Sequence, residues 1–466
     1  MFDPRAISLS RLGAALALAY LGMSASAQAQ SLQELYDAAR AYDATYLSAR
    51  SLAETAQYKL QQAEALGKPS VGLGATGQYQ TTSIPPGEST IGVDPNSGES
   101  IPLPVNRLNT TTLTAGLNGK MAVYNRVNSV TIEQARRSLE IYAADLNTAE
   151  QDLIVRVAQA YFDVLAAQDT LATSTANKTA IAEQLASAKR NFEVGTATIT
   201  DTREAQARYD LAVSQEIGAI NDLQTKQVVL DTLVGRKGVT PKPLIQPVAL
   251  PALPTEDVNV WVSQGEDSPT VRKARVGLDL AHLDVAKARA SGGVTVDATG
   301  SLGVQNVRNN LPGELSASAG AGTTRAATLG FSINYPLYTG GAVQGAVLEK
   351  MKLEEKAVTD LEFARRLVTQ NTRSTFLGVQ SLRAQVKALE AAESSSKLAL
   401  EATQLGYKVG VRVNIDVLNA QTQLYTTEAQ LAKARYDTLV TGLKLRQANG
   451  TLTPEDITAV NGLLAK

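Results

Sequence analysis

Phe192-Glu193-Val194-Gly195-Thr196-Ala197-Thr198-Ile199-Thr200-Asp201 returns further along the chain as Tyr407-Lys408-Val409-Gly410-Val411-Arg412-Val413-Asn414-Ile415-Asp416. Gly195 and Gly410 stand 215 positions apart, and so do Asp201 and Asp416. The same offset carries Gln206 onto Gln421, Gly235 onto Gly450, and Tyr161-Phe162 onto Phe376-Leu377. A register held over that distance marks an internal duplication, with a period far longer than that of a solenoid repeat. Each copy is therefore a large structural half.

On the N-terminal side of the first quoted stretch, neither Gly nor Pro occurs from Arg126 to Val194. At about 1.5 Å per residue, a single helix over that run is roughly 100 Å long. The second half carries a corresponding run over 341–408, interrupted at Gly345, Gly378 and Gly406. Shorter helices are expected at 31–66 and 202–234 in the first half, and at 256–291 and 414–449 in the second. In each half the two shorter helices, laid end to end, match the long one in length. Val-Gly followed by an extended run supplies a hairpin turn, because Gly accepts the left-handed conformation that other residues resist. Each half thus reads as two antiparallel rods with a tip at Gly195 or Gly410.

Between the first helix and the long helix of each half the pattern changes to strict alternation, the signature of a two-faced strand. Strands are expected at 69–82, 110–124, 293–306 and 326–338. In the first, Val71, Leu73, Ala75 and Tyr79 alternate with Gly72, Thr76, Gln78 and Gln80; in the second, Leu113, Ala115, Leu117, Met121 and Val123 alternate with Thr112, Thr114, Asn118 and Lys120. Strands of this length cross a bilayer at a tilt. The connecting loops, Thr82 to Thr110 and Asn309 to Thr324, are rich in Pro, Gly, Ser and Asn. Residues 238–255 hold five prolines, Pro241, Pro243, Pro247, Pro251 and Pro254, and read as an extended connector. The expected division is a first repeat over 30–237, a linker over 238–255, and a second repeat over 256–466 that closes in a C-terminal tail.

Four strands cannot close a membrane barrel, since the narrowest type uses eight. Open edges in lipid would leave backbone donors and acceptors unpaired. Several chains must then share one barrel, eight strands from a dimer or twelve from a trimer.

Residues 1–29 have the pattern of a secretory signal: Arg5 and Arg11, an apolar run from Leu12 to Met23, and the small-residue site Ala27-Gln28-Ala29. The chain has no cysteine, so it carries no disulfide framework, no thiolate chemistry and no lipidated cysteine. Formal net charge is −1, which offers no general attraction to nucleic acid. Aromatic residues make up only 5% of the chain, a composition suited to thin layers of closely packed helices.

Read in order, Ala160-Tyr161-Phe162-Asp163-Val164-Leu165, Arg190-Asn191-Phe192-Glu193-Val194-Gly195, Ile199-Thr200-Asp201, Leu337-Tyr338-Thr339-Gly340-Gly341 and Asp416-Val417-Leu418-Asn419-Ala420 carry a likeness. Together with the duplication, they make the chain resemble the TolC-type outer-membrane efflux proteins over essentially its whole mature length. The resemblance implies an α+β membrane protein: a homotrimer with a twelve-stranded antiparallel β-barrel in outer-membrane lipid, continuing into a periplasmic α-helical coiled-coil barrel. It implies an exit duct working with a periplasmic adaptor and an inner-membrane ABC or proton-driven transporter. It further implies a gate whose latch falls on Thr200, Asp201, Tyr407 and Arg412, and a tunnel constriction at Asp416 and Asn419. Adaptor docking is implied at the hairpin tips, on Arg190, Val194, Gly195, Val409 and Gly410. Asn419 stands where the family's best-known members have a second aspartate, so a single acidic ring is expected.

Enzymatic readings find little to stand on. His282 is the only histidine, no Gly-x-Ser-x-Gly surrounds a serine, and neither Val234-Gly235-Arg236-Lys237-Gly238 nor 340–345 has phosphate-loop spacing. No catalytic residue, cofactor, metal or nucleic-acid partner is expected. The rival to a duct is a periplasm-spanning coiled coil without transport, which would leave the alternating strands without a purpose.

Overall fold

The helix–strand–strand–helix–helix order occurs twice along the chain. The structure is a computed structural model and describes residues 29–83, 90–93, 97–102, 105–196 and 198–465. The segment read as a signal lies outside the described residues except for Ala29. In the first half the elements are α1 (Leu32–Tyr42), α2 (Ala44–Glu64), β1 (Ser70–Ser83), β2 (Thr90–Val93), β3 (Ser100–Pro102), β4 (Arg107–Asn125), α3 (Arg126–Glu193) and α4 (Ile199–Val234). In the second they are α5 (Val258–Gln264), α6 (Pro269–Ala290), β5 (Thr295–Asn309), α7 (Gly313–Ser318), β6 (Gly322–Asn334), α8 (Ala342–Lys408), α9 (Asn414–Ala448) and α10 (Pro454–Asn461). Helices α3 and α8 run for 68 and 67 residues. Among the described residues no helix is long and apolar enough to cross a membrane.

Several expected spans are interrupted or displaced, each for a local reason. The helix expected over 31–66 breaks at Asp43, whose carboxylate accepts the Tyr46 N–H at 2.8 Å and so caps a new helix. Arg156 holds that carboxylate with two bonds of 2.9 and 3.0 Å, and the guanidinium keeps the Asp43 carboxyl below its ordinary range. The helix expected over 256–291 breaks at a 3-10 turn, Gly265–Asp267, after which Ser268 is extended and Pro269 begins α6. The last strand runs Gly322–Asn334, four residues earlier than expected: Pro336 has no N–H to give a ladder, and pairing instead extends to Gly322, opposite Val307. The loop after β1 contains the short β2–β3 hairpin, and the loop after β5 contains α7.

Residues 54–142 and 275–360 form one compact unit. Its sheet has the order β1–β4–β5–β6 and is antiparallel throughout. The register puts Leu73, Leu117, Leu302 and Ala327 side by side on one face, with Thr114, Gln305 and Thr324 on the other. A bulge at Ala122/Tyr124 sets Tyr124, rather than Val123, opposite Val296. The apolar face stands exposed in the single chain, Leu73 and Leu329 at 81% and 80%.

The other unit comprises the described residues of 1–53, 143–274 and 361–466. Its main core gathers Leu32, Tyr36, Ile154, Tyr161, Phe162, Leu230, Tyr436 and Ile457, all buried. Phe162 stacks on Tyr436 with ring centres 5.7 Å apart, and the Tyr436 hydroxyl donates to Asp169 at 2.7 Å. The Pro-rich connector is a structural joint as well as a spacer. Its Thr240 carbonyl accepts from Gln30 N at 2.8 Å, and Lys242 N donates to the Gln30 carbonyl at 3.1 Å. Further along, Ile245 N donates to the Leu463 carbonyl and Ala465 N to the Pro243 carbonyl, at 3.0 and 2.8 Å. The Tyr161 hydroxyl lies 3.2 Å from the Gln30 carbonyl and 2.9 Å from that of Lys242.

Candidate functional site: the two hairpin tips

Both tips are built by the same backbone device. Gly195 and Gly410 each have φ of +78°, the left-handed region where a Cβ is penalised. Asn191 and Phe192 carbonyls accept from Thr196 N and Gly195 N at 2.8 and 3.0 Å. At the second tip Gly406 and Tyr407 carbonyls accept from Val411 N and Gly410 N at 2.9 and 3.1 Å. These paired bonds close the ends of α3 and α8 as Schellman turns and leave few helix-end carbonyls unpaired.

After the turn the tips diverge. Thr198 caps α4: its hydroxyl accepts from Asp201 N at 3.2 Å, and Asp201 Oδ2 accepts from Thr198 N at 3.0 Å and from its hydroxyl at 2.8 Å. This reciprocal box uses the Asp201 carboxylate inside its own turn. The duplicated position holds Val413, which has no side-chain oxygen, and no side chain caps α9. Asp416 instead pairs with Arg412 at 3.6 Å. The Arg412 stem lies against Gly406, where an added Cβ would sit 2.8 Å from Arg412 Cγ.

The two hairpins are also tied to each other. The Tyr407 hydroxyl accepts from Asn191 Nδ2 at 3.2 Å, and Asn419 Oδ1 accepts from the Arg208 guanidinium at 2.9 Å. Below them, Ile181, Leu185 and Ala188 of α3, Ala205 and Ala212 of α4, and Leu418 of α9 form a small buried cluster. Alanines seven residues apart on α4 let the helices approach closely. Thr200, Arg190, Val194, Val409 and Gly410 are exposed, as are Val411 and Val413.

Of the expected latch residues, no two bond to each other within the chain among the described contacts. Asp201 is held by Thr198, Tyr407 by Asn191 and Arg412 by Asp416, while Thr200 faces solvent. Sequence reasoning overlooked Asn191 and Arg208. Arg208 carried a usable signal: it lies seven residues after Asp201, on the same face of α4. Nothing in the sequence singled out Asn191. His282 sits on α6 with its Nδ1 2.7 Å from Glu354, on an exposed helix surface.

The sequence matches the family described as outer membrane efflux protein over residues 35–236 and 264–451, one segment in each half. The chain belongs to that family. It is 29% identical to outer membrane protein TolC of Vibrio cholerae, an alignment covering 94% of this chain and 95% of that one. It is 31% identical to the alkaline protease secretion protein AprF of Pseudomonas aeruginosa, over 66% of this chain and 64% of that one. Among solved structures, the outer membrane protein VceC of Vibrio cholerae superposes with a TM-score of 0.73 at 20% identity, covering 90% of this chain and 96% of that one. The fold is therefore that of the TolC-type channels, internally duplicated, with a four-stranded sheet and long helices. The chain is an outer-membrane exit duct for tripartite export or efflux, with a large periplasmic part. Channels of this family are trimers that act with adaptors and inner-membrane transporters.

Proposed function

We propose that three copies of this chain close a twelve-stranded barrel in the outer membrane, and that the hairpin tips form its periplasmic gate. The observation that carries the shared barrel is the sheet itself. Strands β1 and β6 each pair on one side only among the described residues, and the face of Leu73, Leu117, Leu302 and Leu329 is apolar and exposed. In lipid, edges left open cost roughly several kcal/mol per unpaired backbone group, and sister chains remove them. Residues 1–29 act as the export signal, and 30–237 and 256–466 are the two repeats joined by 238–255.

At the tips, Thr200, Asp201, Tyr407 and Arg412 meet across subunits as the latch. Arg412 supports this: its pair with Asp416 is long and exposed, so most of its five donors remain for a neighbouring chain. Asp416 forms a single acidic ring at the constriction, with Asn419 beside it. The adaptor docks on Arg190, Val194, Gly195, Val409 and Gly410, and the exposed Val411 and Val413 extend that apolar patch. The duct itself is passive and catalyses nothing. Its cargo includes both small toxic compounds and polypeptides, a reading supported by likeness both to AprF and to the toluene efflux pump outer membrane protein TtgI of Pseudomonas putida. An ABC or proton-driven transporter supplies the energy.

Reconstitution in planar bilayers tests the duct and the latch together. The wild type is expected to conduct at a low, closed level, and Asp201→Ala or Arg412→Ala to raise single-channel conductance several-fold. Unchanged conductance in both variants would remove these residues from the latch; no conductance from any of the three proteins would sink the duct.

A further inference from the structure

The apolar face of the sheet changes character at its loop end. Along β5 it runs Val296, Ala298, Gly300, Leu302, Val304, and then Asn306 and Arg308. Arg325 of β6 stands opposite Val304 on that same face. Arg308 is opposite Thr111 of β4, and Arg107 follows four residues closer to the loop on the face shared by Thr111. All three arginines are exposed. Asn310 fixes the loop end of these strands, accepting from Asn109 N at 2.8 Å and donating to the Arg107 carbonyl at 2.9 Å.

Three features set this row apart from scattered surface charge. The three arginines lie on three adjacent strands and step towards the loops by about 13 Å each, at roughly 3.3 Å per residue. Among the described residues that face carries no Asp or Glu, and none of the three has a described carboxylate partner. The basic residue on the opposite face, Lys120, does have one: it pairs with Asp297 at 3.2 Å. A guanidinium beside an apolar band, with no counter-charge on its face among the described residues, is matched by an anionic group carried on an apolar body. Arginine binds phosphate through a planar fork, which makes it better suited to that partner than lysine.

We propose that Arg107, Arg308 and Arg325 form a docking surface for phosphorylated lipid headgroups at the outward-facing rim of the barrel. The acyl chains lie on the Leu302–Val304 band, and the phosphates take the guanidinium forks above it. Tyr79, paired with Thr111 and so level with Arg308, adds an amphipathic ring at the same height. The inference rests on the reading that this face meets lipid in an assembled barrel.

The test uses the assembled protein in detergent. It is exposed to bis-phosphorylated lipid A, to the same lipid without phosphates, and to inorganic phosphate as competitor, with retained lipid counted by native mass spectrometry. Planar-bilayer conductance of each sample establishes barrel assembly separately. The wild type should retain the phosphorylated lipid at least tenfold better than the dephosphorylated one. The preference should fall about tenfold in R107Q/R308Q/R325Q and survive largely in the corresponding triple lysine variant. If the triple glutamine variant does not assemble, R308Q and R325Q singly are expected to lose part of the preference. Equal retention of the two lipids by a conducting wild type, or an undiminished preference in conducting glutamine variants, would overturn the inference. So would displacement of the lipid by millimolar inorganic phosphate, which would mark a small-anion site. A wild type that forms no conducting barrel would instead remove the reading on which the inference rests.

Discussion

At the first hairpin tip a threonine holds the carboxylate that follows the turn; at the second a valine leaves the equivalent carboxylate to an arginine. The backbone is shared to the level of individual hydrogen bonds, with Gly195 and Gly410 at the same φ. The side chains around it are not. A capping box ties Asp201 to its own helix, whereas the Arg412–Asp416 pair is exposed and worth at most about 1 kcal/mol. Duplication kept the turn, which only glycine makes without strain, and freed the charged groups at one tip to take outside partners.

The comparison can be broken most severely at the turn. Replacing Gly410 by Val forces a β-branched residue into the left-handed region at roughly 1–2 kcal/mol or more. We expect amide exchange at Val411 and Arg412 to accelerate about tenfold, with Gly195→Val doing the same at Thr196. Unaltered protection at either tip would mean that the turn does not depend on its glycine.

Next in size, Thr198→Val makes the first tip resemble the second. Loss of the cap should cost about 1 kcal/mol and speed exchange of the Asp201 amide roughly fivefold. Val413→Thr is the converse: it offers Asp416 a cap, draws it from Arg412, and should both protect the Asp416 amide and weaken block of the channel by divalent cations. A Val413→Thr protein with unchanged block would dissociate Asp416 from the constriction.

The tie between the hairpins is weaker. Arg208→Ala removes the 2.9 Å bond to Asn419, an exposed contact worth about 1 kcal/mol. A modest rise in conductance is expected, smaller than that of Arg412→Ala, with Arg208→Lys in between. If Arg208→Ala conducts as the wild type does, the tie has no part in closing the entrance.

The smallest effect is a response to pH that differs between the two hairpin shafts. On the first, a hydrogen bond from Lys178 at 2.6 Å lowers the Glu216 carboxyl below its ordinary value. Its contribution is present above the usual carboxylate range and is lost only as pH falls through that lowered value. On the second, burial and then the charge of Glu393 raise the Glu428 carboxyl. A raised carboxyl binds its proton more tightly in the folded chain, so stability increases as pH falls through the raised value. Asp437, on the same shaft and raised first by burial, acts in the same sense, as does Asp169 on the first, where it opposes Glu216. As pH falls from neutrality towards the usual carboxylate range the melting temperature should therefore rise slightly, and Glu428→Gln should reduce that rise. An identical rise in the variant would show that Glu428 takes no part.

Much of this was legible before any coordinates. The 215-residue offset, the glycine-free run before Val194 and the alternation through Leu73 and Leu117 follow from short-range physics that sequence displays directly. The breaks at Asp43 and Ser268 were harder, because a capping oxygen inside a helical pattern looks like any polar helix residue until its partner, here the Tyr46 N–H, is seen. Pairing of Pro-rich 241–245 with Gln30 and with Leu463–Ala465 joins residues over two hundred positions apart, and composition carries no trace of it. At the tips, family likeness pointed to Asp201 and Arg412, and heptad spacing from Asp201 also marks Arg208, but Asn191 shows itself only through a contact between hairpins.

That joint has a further consequence for how the chain assembles. Gln30 can find Thr240 and Lys242 once the first half has been made, yet Pro243 and Ile245 wait for Leu463 and Ala465, more than two hundred positions further along. A product stopped before Leu463 would keep the described strands and both long rods while leaving that seam undone. The seam thus registers, by a handful of backbone bonds, whether the chain has been made as far as Ala465.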